Sequence, residues 1–463
     1  MTPIQGPLRV SPENPRYFAD RDGKIVYLVG SHTWANFKDM GGTDPPPRFD
    51  FNAYLDFMEA HGHNFIRLWT WELTRYSYDG TPVFADPFPW LRTGPGTALD
   101  GRLRFDLTRL DPAYFDRLRS RAQAACERGI YVSVMLFEGH GLHASLAPWR
   151  WDGHPFNIHN NINGIDGDPN RDGRGLETQT LHVPEITALQ EAYVRRAVDA
   201  VNDLDNVLYE IVNESGAYST EWQYHTIDFI HRYEGTRPRQ HPVGMTFQFA
   251  RDREQRGTNE ALFDGPAEWV SPNPDGGYRD DPPAADGGKV ILNDTDHLWG
   301  IGGNTGWVWG SFCRGMNPLF MDPYLEAKKA EGAEEKKGET WTDHLGEGPA
   351  IDPRWDPIRR NLGYTRRYAD RMDLKEVVPR DDLSSTRYCL ANPGREYLIY
   401  LPEGGEVSVD LAGGRGTFDA EWFNPATGVA QGGGKAGGGD RRSFTAPFEG
   451  EAVLYLARAG RDR

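Results

Sequence analysis

What most constrains this chain is a rhythm in its apolar residues: short β-type runs alternate with helix-patterned stretches, up to eight candidate strands. Such alternation predicts parallel strands joined by helical crossovers. The first run is KIVYLVGSHTW (Lys24 to Trp34), followed by the helical DFNAYLDFMEAHG and then HNFIRLW (His63 to Trp69) as a second strand. PAYFDRLRSRAQAACERG reads as a helix closed by Gly129, leading into IYVSVMLFEGHG as strand three. EITALQEAYVRRAVDAVND is the next helix and NVLYEIVNES (Asn206 to Ser215) is strand four. Strand five is PVGMTFQF, ending at Gln248, and a weaker strand six lies around AEWVSPNPDGG. KVILNDTDHLW (Lys289 to Trp299) and GWVWGSFCRG complete the set. Eight strands in one rhythm favour a closed (β/α)8 TIM barrel over an open sheet. No glycine-rich phosphate fingerprint follows the first run to argue otherwise.

Two stretches break the rhythm. A polar excursion runs from about Leu142 to Pro184 after strand three, and a charged, glycine-rich segment runs from Tyr324 to about Pro353, read as a solvated loop. After the closing helix IRRNLGYTRRYADRM the pattern changes to short strands with Gly, Pro and Asn turns. The expected division is a catalytic barrel over 1–373, with an N-terminal strand extension, and a small all-β sandwich over 374–463. The GGGKAGGGD stretch reads as a flexible hairpin or loop tip.

A chain of 463 residues accommodates a barrel plus one accessory domain. Its net charge is −17, from 68 acidic and 51 basic residues. That balance disfavours nucleic acid or an anionic membrane as partner and fits a neutral polysaccharide or small polar ligand. The 14 Trp and 20 Tyr exceed what such a core needs, and flat rings complement the C–H face of a sugar, although Trp also fills cores. Cys126, Cys313 and Cys389 are odd in number and widely spaced, so no disulfide framework or metal set is expected. No leader or membrane span is visible, so the expected location is cytoplasmic, as a monomer or small homo-oligomer without cofactor.

The chemistry concentrates at strand ends, where a barrel's βα loops converge. Asn213-Glu214 closes strand four. Cleaving a glycosidic bond needs one carboxyl group to protonate the leaving oxygen and a second to attack or stabilise the anomeric carbon. Glu214 fits the first role, with Asn213 beside it to bond a sugar hydroxyl; the same pair could simply cap a helix. Arg67 sits inside the apolar run FIRLW, where a solvated arginine is unexpected, so it requires a carboxylate partner in the barrel mouth. Strand seven offers Asp294 and Asp296, expected to share one face of the strand. Asp296 is the first choice for the second carboxylate and Asp294 the alternative, while Asp294 could instead cap the following helix.

RYFADRDGKIVYLVGSHTW, GHNFIRLW and NVLYEIVNES resemble the apiosidase-like hydrolases, a group similar to the clan of retaining barrel glycosidases that includes cellulases and β-galactosidases. The likeness runs from about residue 10 to residue 372. It implies that Glu214, after Asn213, is the acid/base and that Arg67 is the arginine of strand two. The clan's nucleophile is a glutamate at the end of strand seven, where this chain has only aspartates. The C-terminal segment resembles a β domain, named for collagen binding, that is often fused to such barrels.

Further candidates for sugar contact are Trp34, Trp69, Trp307 and Trp309, with Trp71 and Trp299 also near strand ends. His32, His140 and His297 could bond hydroxyls or orient carboxylates, and Glu138 and Gln248 close strands three and five. No histidine pair has metal-site spacing. Within the excursion, Asp166, Asp168, Asn170, Asp172 and Glu177 fall at calcium-loop positions one, three, five, seven and twelve, but Arg171 stands where such loops need glycine. A polar flap over the site explains the same residues. The expected activity is glycoside hydrolysis; a non-catalytic carbohydrate-binding protein and a metal-dependent hydrolase are the alternatives.

Overall fold

The computed structural model describes residues 4–77, 82–144, 150–324 and 352–460. Eight parallel strands close into a barrel: β1 (Gly30–His32), β2 (Phe65–Leu68), β3 (Tyr131–Glu138), β4 (Val207–Asn213), β5 (Val243–Thr246), β6 (Trp269–Ser271), β7 (Val290–Asp294) and β8 (Asn317–Met321). Spatial order follows chain order, and β1 closes the ring between β8 and β2. At that closure a Cβ on Gly30 would stand 2.1 Å from the Phe65 carbonyl oxygen, so only glycine fits.

Parallel neighbours require crossovers. These include helices α1 (Phe51–Ala60), α2 (Pro112–Glu127), α3 (Pro184–Val201), α4 (Thr220–Glu234), α5 (Thr295–Leu298) and α6 (Thr305–Cys313), and α7 (Asp356–Ala369) follows the last barrel strand. Local chemistry starts them. Asp111 caps α2 by accepting the Ala113 N–H at 3.0 Å, with Pro112 in the first turn. The buried face of α2 is then Tyr114, Phe115, Leu118, Ala122 and Ala125. All eight residues of β3 are buried between barrel interior and helices, which is why it reads as a continuous apolar run.

Several expected boundaries move. Of the first run only Gly30–His32 enters the barrel; Ile25–Val26 joins Arg9–Val10 and Phe18–Ala19 in an antiparallel sheet. GWVWGSFCRG is no strand: Asn304 accepts the Trp307 N–H at 2.8 Å and starts α6, whose bulky residues are buried all round and so carry no helical period. The eighth strand is the following NPLFM. β7 ends at Asp294, so Asp296 and His297 lie on α5 rather than on one strand face with Asp294. Between β2 and α2 the chain forms a hairpin (Trp90–Thr97 with Leu103–Leu110), and Arg75–Tyr76 and Val83–Asp86 pair in a three-stranded sheet with Asp39–Gly41. The sequence rhythm showed none of these strands.

The C-terminal residues form a six-stranded antiparallel sheet and a two-stranded one (Gly404–Asp410 with Arg441–Glu449). The glycine run does not make a loose tip, because Val429–Gly437 is a strand paired along Thr417–Asn424. Backbone hydrogen bonding suffices there, since this outer strand is mostly exposed and needs few side chains to pack. The segment 325–351, read as a solvated loop, lies outside the described residues. Cys126, Cys313 and Cys389 are free thiols. Among the described residues no helix is long and apolar enough to cross a membrane.

Candidate active site

The barrel's C-terminal mouth holds a cavity of about 340 Å³. Trp34, Trp69, Trp71, Trp299, Phe247 and Phe249 form much of its wall, and Glu214, Asp296, His140, His297 and Arg256 add its polar groups. Apolar walls with a few convergent polar groups are the usual make-up of a ligand pocket.

Beneath it lies one buried cation. The Arg67 guanidinium donates to both Glu210 oxygens, at 2.8 and 2.6 Å, to Asn213 Oδ1 at 2.6 Å, to Asp294 at 3.1 Å and to Asp296 at 2.9 Å. Its main partner is therefore Glu210 inside β4, not only the mouth carboxylates the sequence pointed to. Glu210 could have been found by the signal that found Arg67, a charged residue inside an apolar strand run. Burial opposes its charge, but three carboxylates on one guanidinium leave Arg67 more basic than usual.

The two aspartates separate in role. Asp294 is buried away from the cavity. It pairs with His32 Nε2 at 3.0 Å and Arg67, and its Oδ1 caps α5 by accepting the Asp296 N–H at 3.0 Å. Burial opposes its ionisation, yet His32 and Arg67 hold its carboxyl well below the usual range. Asp296, two residues on, faces the cavity. Burial and then the Glu214 charge push its carboxyl up, and Arg67 does not fully offset them. Glu214 is opposed by burial but lowered on balance by His140, whose Nδ1 contacts its Oε2, with His297 and Arg67 assisting.

Glu214 also has φ +51°, unusual for a residue with a side chain. Such backbone strain costs of order 1–3 kcal/mol and gathers at functional sites.

The remaining candidates divide. His297 lines the cavity and is fixed by Ser271 Oγ at 2.6 Å and Asn213 Oδ1 at 3.2 Å; burial depresses its pKa to about 3. His32 is buried, stacked on Trp69 at 5.3 Å. Asn213 spends its oxygen on Arg67 and His297, while its Nδ2 is buried without a partner. Glu138 lies outside the cavity wall, Oε1 accepting the Gly141 N–H at 2.9 Å. Gln248 turns to Thr220, with Nε2–Oγ1 2.8 Å, and does not line the cavity. Trp307 and Trp309 do not line it either. Trp307 packs edge-on against Trp299 at 6.0 Å, and Trp309 packs against the C-terminal sheet residues Tyr400 and Phe423. Phe247, Phe249 and Arg256 went unnoticed in the sequence, since they follow β5 on a loop without periodicity.

In the excursion, Asp166 accepts the Asp168 N–H, Asp168 accepts the Gly173 N–H at 2.9 Å, and Asn170 Nδ2 donates to Glu177. The loop's acids thus tie up its own turns. Among the described residues no group of three or more His, Cys, Asp or Glu side chains could hold a metal ion.

A family model described as "Domain of unknown function (DUF6298)" matches residues 74–252, and one described as "Putative collagen-binding domain of a collagenase" matches residues 375–455. No curated protein matches the chain. Among solved structures, a glycoside hydrolase family 5 protein from Bacteroides vulgatus is 14% identical with a TM-score of 0.62, over 99% of this chain and 95% of its own. Another, described as a glycoside hydrolase, is 13% identical with a TM-score of 0.59, over 99% and 98%. At such identity the likeness shows a shared fold, barrel and C-terminal β region together.

Proposed function

We propose that this chain is a glycoside hydrolase using Glu214 and Asp296 as its two carboxyl groups. The observation that carries the reading is that these two, from β4's end and from α5, line one aromatic-walled cavity at the barrel mouth, where burial and then the Glu214 charge push the Asp296 carboxyl up. Fold likeness to glycoside hydrolases supports it. The residue likeness to apiosidase-like hydrolases favours side-chain sugars of a polysaccharide, furanosides included.

The chemistry is that of a retaining enzyme. The Glu214 carboxylic acid protonates the glycosidic oxygen as the Asp296 carboxylate attacks the anomeric carbon; the C–O bond breaks and a glycosyl ester forms. Glu214, now ionised, takes a proton from water, whose oxygen displaces Asp296 and releases the sugar. In the free site burial and the Glu214 charge favour the protonated form of Asp296, while burial opposes ionisation of Glu214 and His140 favours it on balance. A bound sugar reverses this: positive charge growing at the anomeric carbon favours ionised Asp296, and the leaving oxygen becomes the proton acceptor beside Glu214. Asp294 positions Asp296 through the cap of α5 and the shared Arg67.

The test is hydrolysis of aryl pyranosides and furanosides by wild type, Glu214→Gln and Asp296→Asn, with and without chelator. Each variant is expected to lose at least about 10²-fold in rate, chelator is expected to have no effect, and the first-formed product should keep the substrate's anomeric configuration by NMR. Equal rates in wild type and Glu214→Gln would remove the assignment. Chelator sensitivity would favour a metal-dependent reaction, and an inverted product would make Asp296 a base rather than a nucleophile.

A further inference from the structure

In an acidic protein of net charge −17, one arginine lines this cavity and others lie on the loop beside it and on the excursion that meets that loop. Arg256 lines the cavity itself, its Nε donating to the Ala250 carbonyl at 2.8 Å and its guanidinium 4.8 Å from the Phe249 ring centre. Arg174, from the excursion after β3, reaches across to the same loop and donates to Gln255 Oε1 at 3.3 Å. Arg150 stands close enough to Arg174 and Arg251 for their charges to lower its basicity together with burial, Asp172 acting the other way. Burial, then His140, Arg174 and Arg150, depress His143 against the pull of Glu214, and His143 shares a 2.9 Å hydrogen bond with Tyr218, which bonds Ser215. Two loops, after β3 and after β5, therefore meet through Arg174 and Gln255, with Arg256 on the wall of the cavity that holds Glu214 and Asp296.

Several buried or half-buried arginines of this chain are neutralised. Arg92, Arg117, Arg119, Arg237 and Arg371 each meet a carboxylate within 3 Å. Arg150, Arg174 and Arg256 have no ion pair among the described residues, and Arg150 Nε is buried without a hydrogen-bond partner. Clustered cations at a cleft with low-dielectric walls focus a positive potential on it, and the guanidinium fork matches the two oxygens of a carboxylate or sulfate.

We propose that these arginines bind an anionic group of the substrate, so that the enzyme acts on an acidic saccharide, one bearing carboxylate or sulfate, rather than the neutral polysaccharide its composition favoured. This rests on the glycoside hydrolase reading above. Arg256, on the cavity wall, contacts the anionic sugar next to the cleaved bond, and Arg150 and Arg174 hold acidic units farther out.

The experiment is affinity electrophoresis of the full chain, in the Glu214→Gln background, through gels holding polygalacturonate, dextran sulfate or neutral dextran. A protein of this net charge is repelled by polyanions in general, so retention is informative. Retention by an acidic polymer and not by dextran is expected, with Arg256→Gln weakening it at least about tenfold, and Arg256→Lys partly restoring it. The polymer retained separates carboxylate from sulfate. Unchanged melting temperatures in the variants exclude a merely structural effect. Absence of retention by both polyanions, or equal retention of Arg256→Gln and its parent, would overturn the proposal. If aryl glycoside cleavage still depends on Glu214 in that case, the hydrolase reading stands and only the anionic substrate falls.

Discussion

Glu138 shows what burial does to a carboxyl here. It is 1% exposed, and burial, with Glu72 and Glu214 adding their charges, pushes its pKa up to about 8 against the pull of His140 and the Gly141 N–H. A group whose folded pKa is raised binds its proton more tightly when folded. Its stabilising contribution is complete below the ordinary value of 4.5, and is lost as pH rises toward about 8. Glu138→Gln cannot titrate. Its melting temperature relative to wild type is therefore expected to rise by several degrees between pH 5 and pH 9; a difference that stays flat across that range would contradict the assignment. Arg67 and Glu214 were legible in the sequence because each is a polar group where an apolar strand run ends or is interrupted. The sequence ranked Asp296 ahead of Asp294, with Asp294 as a possible helix cap, but expected both on one face of strand seven. Which one faces the cavity depends on where β7 stops, and the stop is set by a side-chain cap, not by periodicity.

At the scale of elements, the ends of β3 and β4 meet where Glu214 must be aimed. Gly139 donates its N–H to the Asn213 carbonyl at 2.8 Å, and a Cβ on Gly139 would stand 2.7 Å from Ser215 Cα. Gly139→Ala must separate the two strand ends. The expected cost is about 1–3 kcal/mol of stability by urea denaturation, with a lowered kcat because Glu214 moves with Ser215. Full activity with unaltered stability would show that the contact is soft. The alternation of strands and helices was readable because period is a local property of sequence. α6 was misread as a strand because a helix buried on every side has no polar face to mark its turns. The strands between residues 75 and 110 escaped because they pair with each other outside the barrel rhythm.

For the whole molecule, Trp309 ties barrel to C-terminal sheet. Its Nε1 donates to Asn361 at 2.8 Å, and its ring stacks on Tyr400 at 6.4 Å and packs against Phe423 at 5.8 Å. Thr305 adds a hydrogen bond across the same junction, to Glu451 at 2.6 Å. Trp309→Ala should cost about 3–5 kcal/mol in chemical denaturation and leave KM unchanged, whereas a sugar-binding tryptophan would raise KM at little cost in stability. The sequence by itself determined the barrel, the all-β tail and the buried charge at Arg67. Strand period, turn residues and the cost of an unpaired charge are all properties of a chain segment and its nearest neighbours. Only the tertiary structure decided which tryptophans face the cavity, that β7 stops at Asp294 and leaves Asp296 on a helix, and that the loops carrying Arg174 and Arg256 meet. Those outcomes depend on where segments far apart in the chain are brought together, and no local pattern records that.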